Sequence, residues 1–552
     1  MMTQQLNHTV GSLLSDIARR YPDNEALVYH ERALRYTYRQ FNDVCSRVAK
    51  GLLSLGIKKG DNIAIWAYNV PEWVLLQFAS AKIGAILVTV NTSYKSAELE
   101  YILAQSDSTS LFMVGSFKDT DYVETLTGVV PEISVSEPGK LNSSKLPYLK
   151  NVIFIGQETP AGMLNFDSII AMGEGVSDSE LAAVEASLDC HETINMQYTS
   201  GTTGFPKGVM LTHYNLVNNG FQIGECMKFT ELDRLCIPVP FFHCFGCVLG
   251  VMVCVTHGST MVPVEIFDPL KVLQTIEKEK CTAVHGVPTM FIAELEHPEF
   301  AKFDLSTMRT GIMAGSVCPI EVMKRAVKDM HVSEITSVYG QTESSPGITQ
   351  TRTDDAIELR VATVGRALPG AEVKIVDIET GATLPPGKQG ELCARGYMVM
   401  KGYYKMPEET ANVIDADGWL HTGDLAIMDE NGYCKITGRI KQMIIRGGEN
   451  IYPREIEEFL YTHPKISDIQ VYGVPDRKFG EQVMAAIILK KGMEMTEEEV
   501  RAFCRDKIAN YKVPKYVKFV DGYPMTASGK IQKFKMREKA IKELQLEDTG
   551  GA

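Results

Sequence analysis

The sequence predicts an α/β protein: a large N-terminal domain of βαβ layers carrying a β-rich subdomain, followed by a small α/β domain. Three observations carry this. Apolar stretches at helical spacing alternate with short apolar runs through most of the chain, the pattern of repeated βαβ units. Over about residues 365–437 that rhythm gives way to short alternating runs separated by Gly, Pro and Asp-Gly turns, as in antiparallel sheets. Beyond Gly438 to Lys441 the pattern of helices and strands starts again over a length suited to a separate domain. The division is therefore expected at 1–438 and 439–552. A chain of 552 residues is in any case too long for one compact core.

Each element has a local reason. Over 9–20, Val10, Leu13, Leu14, Ile17 and Ala18 recur at helical spacing, Thr9 can cap the start and Pro22 marks the stop. Asn62 to Trp66 reads as a strand, Glu72 to Ile83 as a helix after Pro71, and Ala85 to Val90 as a strand, which makes one βαβ unit. Another runs through Leu235 to Val239, an apolar helix over 245–255, and Thr260 to Val264. A third follows from the helix 269–280 to the strand Ala283 to Val287, then from Met308 to Ala314 through the helix 319–330 to a strand at Ile335 to Val338. In the β-rich stretch the runs are Val373 to Val376, Glu391 to Ala394 and Cys434 to Ile436. The last domain reads as a helix over 453–461, strands over 469–474 and 483–489, and a helix over 496–509.

Composition excludes several classes. The hydrophobic fraction of 45% and charged fraction of 23% are those of an ordinary soluble globular protein. A net charge of -13 with no basic stripe argues against a nucleic-acid partner, although it leaves room for a local cationic pocket. The N-terminus MMTQQLNHTVGSLL lacks the charged and apolar regions of a signal peptide, and the longest apolar stretch, Cys244 to Val255, is too short to cross a bilayer. No transmembrane segment and a cytoplasmic location are expected. Twelve scattered cysteines fit a reducing compartment. His243, Cys244 and Cys247 form half of a zinc pattern with no second ligand pair at matching spacing, and read as thiols packed against an aromatic wall.

The segment most informative about chemistry is TSGTTGFPKG at 199–208. Its glycines let the backbone approach an anion closely, and Thr199, Ser200, Gly201, Thr202, Thr203 and Gly204 offer amides and hydroxyls as donors. Lys207 adds a mobile point charge. The order of residues differs from the P-loop, because Lys207 follows Pro206 and precedes Gly208, with no Ser or Thr placed to reach Mg²⁺. This is a polyphosphate loop of another architecture.

Together with YGQTES at 339–344, HTGD at 421–424, GRIKQMIIRGGENIYPREIE at 438–457 and PMTASGKIQK at 524–533, this loop resembles the ordered signature of the adenylate-forming superfamily. That group holds acyl-CoA synthetases, peptide-synthetase adenylation domains and luciferases. The resemblance spans essentially the whole chain and lies nearest the AMP-forming fatty-acyl-CoA synthetases. It implies a two-step ligase reaction. A carboxylate oxygen attacks the α-phosphate of ATP to give acyl-AMP and pyrophosphate, and the CoA thiol then displaces AMP. By the resemblance, Lys530 bridges the carboxylate and the α-phosphate, Glu343 holds Mg²⁺, Thr342 bonds the α-phosphate and Tyr339 lies against adenine. Gly315, Ser316, Gly340 and Gln341 border the nucleotide, Asp424 takes the ribose hydroxyls and Arg439 complements it. The C-terminal domain is mobile in the family, with its hinge at the position of Lys441. Its rotation withdraws the lysine and brings up Gly447, Gly448, Glu449 and Asn450 for CoA.

Substrate choice is less legible. The family's acyl pocket maps onto Phe242, His243, Val287, Gly315 and Gly340. In acetate synthetases of the family a tryptophan closes the pocket at the position of Gly340, so an absent side chain there implies an extended pocket and a longer acid. Trp66, Trp73 and Trp419 all lie outside the pocket segments. Phe241, Phe242 or His243 could shorten the cavity instead, and His243 either touches the carboxylate or packs as an aromatic. The expectation is a medium- or long-chain fatty acid. The alternatives are an aryl, alicyclic or short-chain acid, or an acyl-AMP ligase loading a separate carrier protein. A homodimer is compatible with the sequence.

Overall fold

The computed structural model describes residues 5–199, 206–315, 318, 320–446, 449–505, 507–526 and 531–546, with the side chains of 449 and 450 left out. The chain forms two compact units: Met1–Val373 with Ala394–Leu420, and Lys374–Cys393 with His421–Ala552.

Two sheets organise the first unit. One has the order Thr310–Met313, Ala283–Gly286, Arg234–Ile237, Thr260–Pro263, Glu25–Tyr29, Leu34–Thr37, and only the last pair is antiparallel. The other runs Gly402–Tyr403, Lys207–Thr212, Thr193–Thr199, Ile86–Thr89, Asn62–Trp66, Ser110–Met113, Asn151–Phe154, Leu164–Asn165. It is parallel from Thr193–Thr199 onward and antiparallel at the edge formed by Lys207–Thr212 and Gly402–Tyr403. The expected βαβ units are thus present, except that the last, through the helix Ile320–Asp329, does not close on a parallel strand at 335–338.

Helices start where capping chemistry allows. Thr9 Oγ1 accepts the Ser12 N–H at 3.1 Å, and the helix Val10–Arg20 buries Val10, Leu13, Leu14, Ile17 and Ala18. Such a cap is worth about 1 kcal/mol. Pro71–Ile83 is apolar on nearly every side and correspondingly buried, with Trp73 against Phe241 at 5.4 Å between ring centroids. The apolar stretch expected as one helix is a π-helix, Phe245–Met252, continued by the α-helix Val253–His257. Gly246 allows its close approach to the chain before it, since a Cβ there would lie 2.2 Å from the Pro240 carbonyl oxygen.

The strand expected at Ile335 to Val338 requires correction. Thr336 makes a single bridge to Ile312, and the strand begins at Val338, antiparallel to Gly347–Gln350. Side chains take the peptide groups that a ladder would have used. Arg360 donates to the Ser333 and Ile335 carbonyls, and Thr351 Oγ1 accepts the Ser337 N–H.

Glu294, on the helix Pro288–Leu295, is 1% exposed, and among the described residues its Oε2 has no hydrogen-bond partner. Burial pushes its carboxyl up to about 8. A carboxyl raised on folding contributes most below its unfolded value and loses that contribution as pH rises through 8. The wild-type melting temperature should therefore carry a downward component from about pH 5 to about pH 9 that Glu294→Gln lacks, making the variant more stable at the alkaline end. Parallel melting curves for the two proteins would contradict this.

The second unit has a four-stranded sheet ordered Ala371–Val376, Gln389–Gly396, Leu420–Met428, Cys434–Arg439. A further sheet joins Glu449–Ile451, Ile444–Arg446, Gly480–Leu489 and Ile466–Asp476, with Tyr516–Phe519 parallel to Gly480–Leu489. Ile456, Leu460, Ile469, Val471, Val483, Ile487, Val500 and Cys504 form its core with the helices Pro453–Leu460 and Glu497–Cys504.

Candidate active site

The segment expected to hold phosphate lies between two antiparallel strands, and Thr199 faces Lys207 across them. Ser200, Gly201, Thr202, Thr203 and Gly204 lie outside the described residues. The strand Lys207–Thr212 leads straight into the helix His213–Cys226, where Thr212 Oγ1 accepts the Asn215 N–H at 3.1 Å and Asn215 Oδ1 accepts the Thr212 N–H at 2.8 Å.

That helix positions two other segments. Asn219 Oδ1 accepts the Gly347 N–H at 3.0 Å, and its Nδ2 donates to the Gly347 carbonyl at 2.9 Å, which fixes the turn after YGQTES. Asn215 Nδ2 donates to the Tyr397 and Val399 carbonyls. The chain then runs into Gly402–Tyr403, which pairs with Val209 and Met210 beside the phosphate loop, while the Met400 N–H donates to the Glu343 carbonyl at 2.9 Å.

These contacts assemble a charged cluster. The Tyr403 hydroxyl donates to Glu343 Oε1 at 2.9 Å, and the Lys207 ammonium lies 5.0 Å from the centre of the Tyr403 ring while paired with Glu409. Burial first, and then the Glu343 carboxylate, hold the Tyr403 hydroxyl protonated far above its ordinary range. Lys207 and Glu343, 136 positions apart, thus share one aromatic neighbour. Carboxylate oxygens suit a hard divalent cation, and a lysine ammonium suits phosphate oxygens. Tyr403 and Glu409 were not among the expected site residues. The KGYY segment holds no recognisable motif, and its pairing with the phosphate-loop strand is too long-range for local patterning to reveal.

Thr342 is buried in the turn Thr342–Ser344, and Tyr339 lies on the strand Val338–Gly340. The Gln341 N–H donates to the Pro346 carbonyl at 3.0 Å. That same carbonyl corrects the reading of Gly340. A Cβ at Gly340 would sit 1.7 Å from the Pro346 oxygen, so a side chain there would be directed into backbone, and its absence opens no extension of a pocket. Gly340→Ala is accordingly expected to lower kcat/KM at least about tenfold for every acid, as a displacement of about 1 Å near reacting groups does. A change in chain-length preference at an unchanged maximal rate would contradict this.

Of the expected acyl-pocket residues, Val287 and Gly315 meet: a Cβ at Gly315, whose φ is +89°, would lie 3.0 Å from Val287 Cγ1. Phe242 is buried, and His243 Nδ1 accepts the Phe245 N–H at 3.3 Å. Cys244 Sγ donates to Gln197 Oε1 at 2.9 Å, and Gln197 Nε2 donates to Cys247 Sγ at 3.1 Å, so both thiols pack onto one buried amide. Ser316 is outside the described residues.

In the second unit, Asp424 and Arg439 face each other on adjacent antiparallel strands, with Arg439 Nε 2.7 Å from Asp424 Oδ1. The carboxylate is buried, with 4% of its side chain exposed against 53% for the guanidinium. The Asp424 N–H donates to Thr422 Oγ1, and the Gly423 N–H to Glu391 Oε1 at 2.9 Å. Lys441 is exposed in the turn Ile440–Gln442. Gly447, Gly448 and Lys530 lie outside the described residues, as do the side chains of Glu449 and Asn450.

A family model described as AMP-binding enzyme matches residues 14–404, and one described as AMP-binding enzyme C-terminal domain matches 455–530. The chain is 57% identical over 548 residues to the "Putative acyl-CoA synthetase YngI" of Bacillus subtilis (strain 168), covering 99% of this chain and 100% of that protein. It is 44% identical to the mitochondrial medium-chain acyl-CoA ligase ACSF2 of Bos taurus, covering 98% and 89% of the two chains. Among solved structures, ATP-bound MatB from Rhodopseudomonas palustris superposes with a TM-score of 0.84 at 29% identity, covering 97% of this chain and 99% of that one. The anthranilate CoA ligase AuaEII in complex with anthranoyl-AMP gives 0.84 at 27% identity, covering 98% and 99%. Among the described residues no helix is long and apolar enough to cross a membrane. The chain belongs to the AMP-binding, adenylate-forming enzyme family and is a ligase of its acyl-CoA synthetase class.

Proposed function

We propose that this enzyme joins a medium- or long-chain fatty acid to CoA in the cytoplasm, consuming ATP and Mg²⁺ and releasing AMP and pyrophosphate. The observation that carries the reading is the cluster of Lys207, Tyr403 and Glu343, in which an ammonium suited to phosphate and a carboxylate suited to a cation are held around one tyrosine. Mg²⁺ held at Glu343 would neutralise phosphate charge. Lys207 would exchange its half-exposed partner Glu409 for the departing β- and γ-phosphates, a small cost for a pair of that exposure.

Adenylation forms a bond between a carboxylate oxygen and the α-phosphorus and breaks the bond to pyrophosphate. Both reactants are anionic, so charge suppression and in-line positioning are the main requirements. Lys530 and Thr342 would serve them at the α-phosphate, with Tyr339, Gly315, Ser316, Gly340 and Gln341 along the nucleotide. Asp424 has the chemistry for the ribose: a buried acceptor oriented by its neighbouring strand. In the second step the CoA sulfur attacks the acyl carbon and AMP leaves. We assign 1–438 to the adenylating domain and 439–552 to a domain that turns at Lys441, with Gly447, Gly448, Glu449 and Asn450 lining the CoA channel.

Fatty acids are favoured over acetate by the medium-chain activity named for a relative at 44% identity. AMP release across acetate, octanoate, decanoate, palmitate and benzoate, with and without CoA, tests this. Each buried methylene should add ~0.8 kcal/mol, about fourfold in kcat/KM, until the pocket is full. Benzoate as the best acid would move the reading to an aryl-CoA ligase, acetate as the best acid would overturn it, and AMP release that CoA does not stimulate would indicate loading of a carrier protein.

A further inference from the structure

Glu391 and Cys393 stand two residues apart on the strand Gln389–Gly396 and so share one face of it. His421 lies on the neighbouring strand Leu420–Met428. The three side chains converge on a single atom: His421 Nδ1 is 2.8 Å from Glu391 Oε2 and 3.4 Å from Cys393 Sγ. All three donor atoms lie within 4.8 Å of one another.

A nucleophilic relay does not fit this arrangement. In such a relay the carboxylate orients the imidazole through the ring nitrogen that the thiol does not use, whereas here carboxylate and thiol address the same one. One Nδ1 proton cannot serve both. A cation bound by all three can. Tetrahedral zinc, with Zn–N about 2.0–2.1 Å and Zn–S about 2.3 Å, sets nitrogen and sulfur about 3.5 Å apart, close to the separation observed. The carboxylate oxygen would have to withdraw by about 0.5 Å, within the reach of a glutamate rotation. An orienting contact is also in place, since Glu391 Oε1 accepts the Gly423 N–H at 2.9 Å. Cys393 is fully buried while His421 is one-third exposed, so the sulfur is shielded and an ion has a way in.

We propose that Glu391, Cys393 and His421 form a three-ligand site for Zn²⁺, with water as the fourth ligand. Binding converts the Cys393 thiol to thiolate and releases its proton to solvent. Because Glu391 also holds the Gly423 N–H, the site is tied to the turn that carries Asp424. The other cluster of this kind among the described residues, Asp189, Cys190 and His191, is consecutive in sequence and largely exposed, and serves as the internal control.

The test is titration of the chelator-stripped full-length enzyme with Zn²⁺ against a chromophoric chelator, and with Co²⁺ followed by absorption. The expected result is one tight equivalent per chain and a thiolate-to-cobalt charge-transfer band. The band should vanish in Cys393→Ala and persist in Cys190→Ala, and zinc affinity should fall at least about tenfold in His421→Asn, which keeps the thiol and covers the case in which Cys393→Ala does not fold. No tight equivalent on the wild type, a band unchanged in Cys393→Ala, or a band lost in Cys190→Ala would overturn the proposal.

Discussion

Replacing Lys530 by alanine is expected to slow acyl-AMP formation by about 10²–10³-fold, the usual cost of removing one preorganised group from a site where charge develops. The physical reason is the meeting of two anions. Attack of a carboxylate on the α-phosphate has to overcome repulsion at the moment of bond formation, and a single ammonium between them acts on the transition state more than on either ground state. The ATP KM should change little, because the groups proposed for the outer phosphates and the cation, Lys207 and Glu343, are untouched. The second half-reaction separates this role from a structural one. Supplied with synthetic acyl-AMP and CoA, the variant should form acyl-CoA at nearly the wild-type rate, since in the proposed mechanism the lysine acts only while pyrophosphate leaves. Equal loss in both half-reactions would contradict the assignment, and a wild-type adenylation rate would remove Lys530 from the mechanism.

Asp424→Ala should raise the ATP KM and lower kcat/KM for ATP by about 10²-fold, with little change in thermal stability. A buried carboxylate that accepts hydrogen bonds from ribose hydroxyls is worth about 1.5–3 kcal/mol per charged bond. The small stability effect follows from the asymmetry of the pair: Asp424 is buried, but Arg439 is half exposed and keeps its solvation when the carboxylate is removed. Kinetics of the variant together with its melting curve give the split. A large drop in melting temperature with an unchanged ATP KM would make Asp424 a strut of its sheet and not a ligand.

Much of the architecture is legible in the chain because its local signals agree. The Thr9 cap and the apolar stripe from Val10 to Ala18 give the first helix, and Pro71 opens a helix whose apolar surface on every side announces its burial. Asn62–Trp66 appears as a strand with the bounds its composition suggests. Failures occur where side chains take the place of the backbone ladder. Arg360 and Thr351 satisfy peptide groups near Ile335 and Ser337, which no periodicity over 335–338 encodes. The site shows the same division. Glu343 and Asp424 are marked by their motifs, while Tyr403 becomes visible only when Gly402–Tyr403 pairs with Val209 and Met210 across almost two hundred residues. Gly340 misleads for a related reason. The absence of a side chain looks like open space in a sequence, but the Pro346 carbonyl occupies the direction a Cβ would take.

In the proposed mechanism a carboxylic acid is activated as its adenylate before CoA takes part. Exchange of labelled pyrophosphate into ATP, measured on the wild-type enzyme without CoA, addresses it most directly. Exchange should depend on a fatty acid, saturate with it and be nearly abolished in Lys530→Ala, followed by equimolar AMP and acyl-CoA once CoA is added. Exchange that needs no acid, exchange that appears only with CoA, or ADP in place of AMP would contradict it.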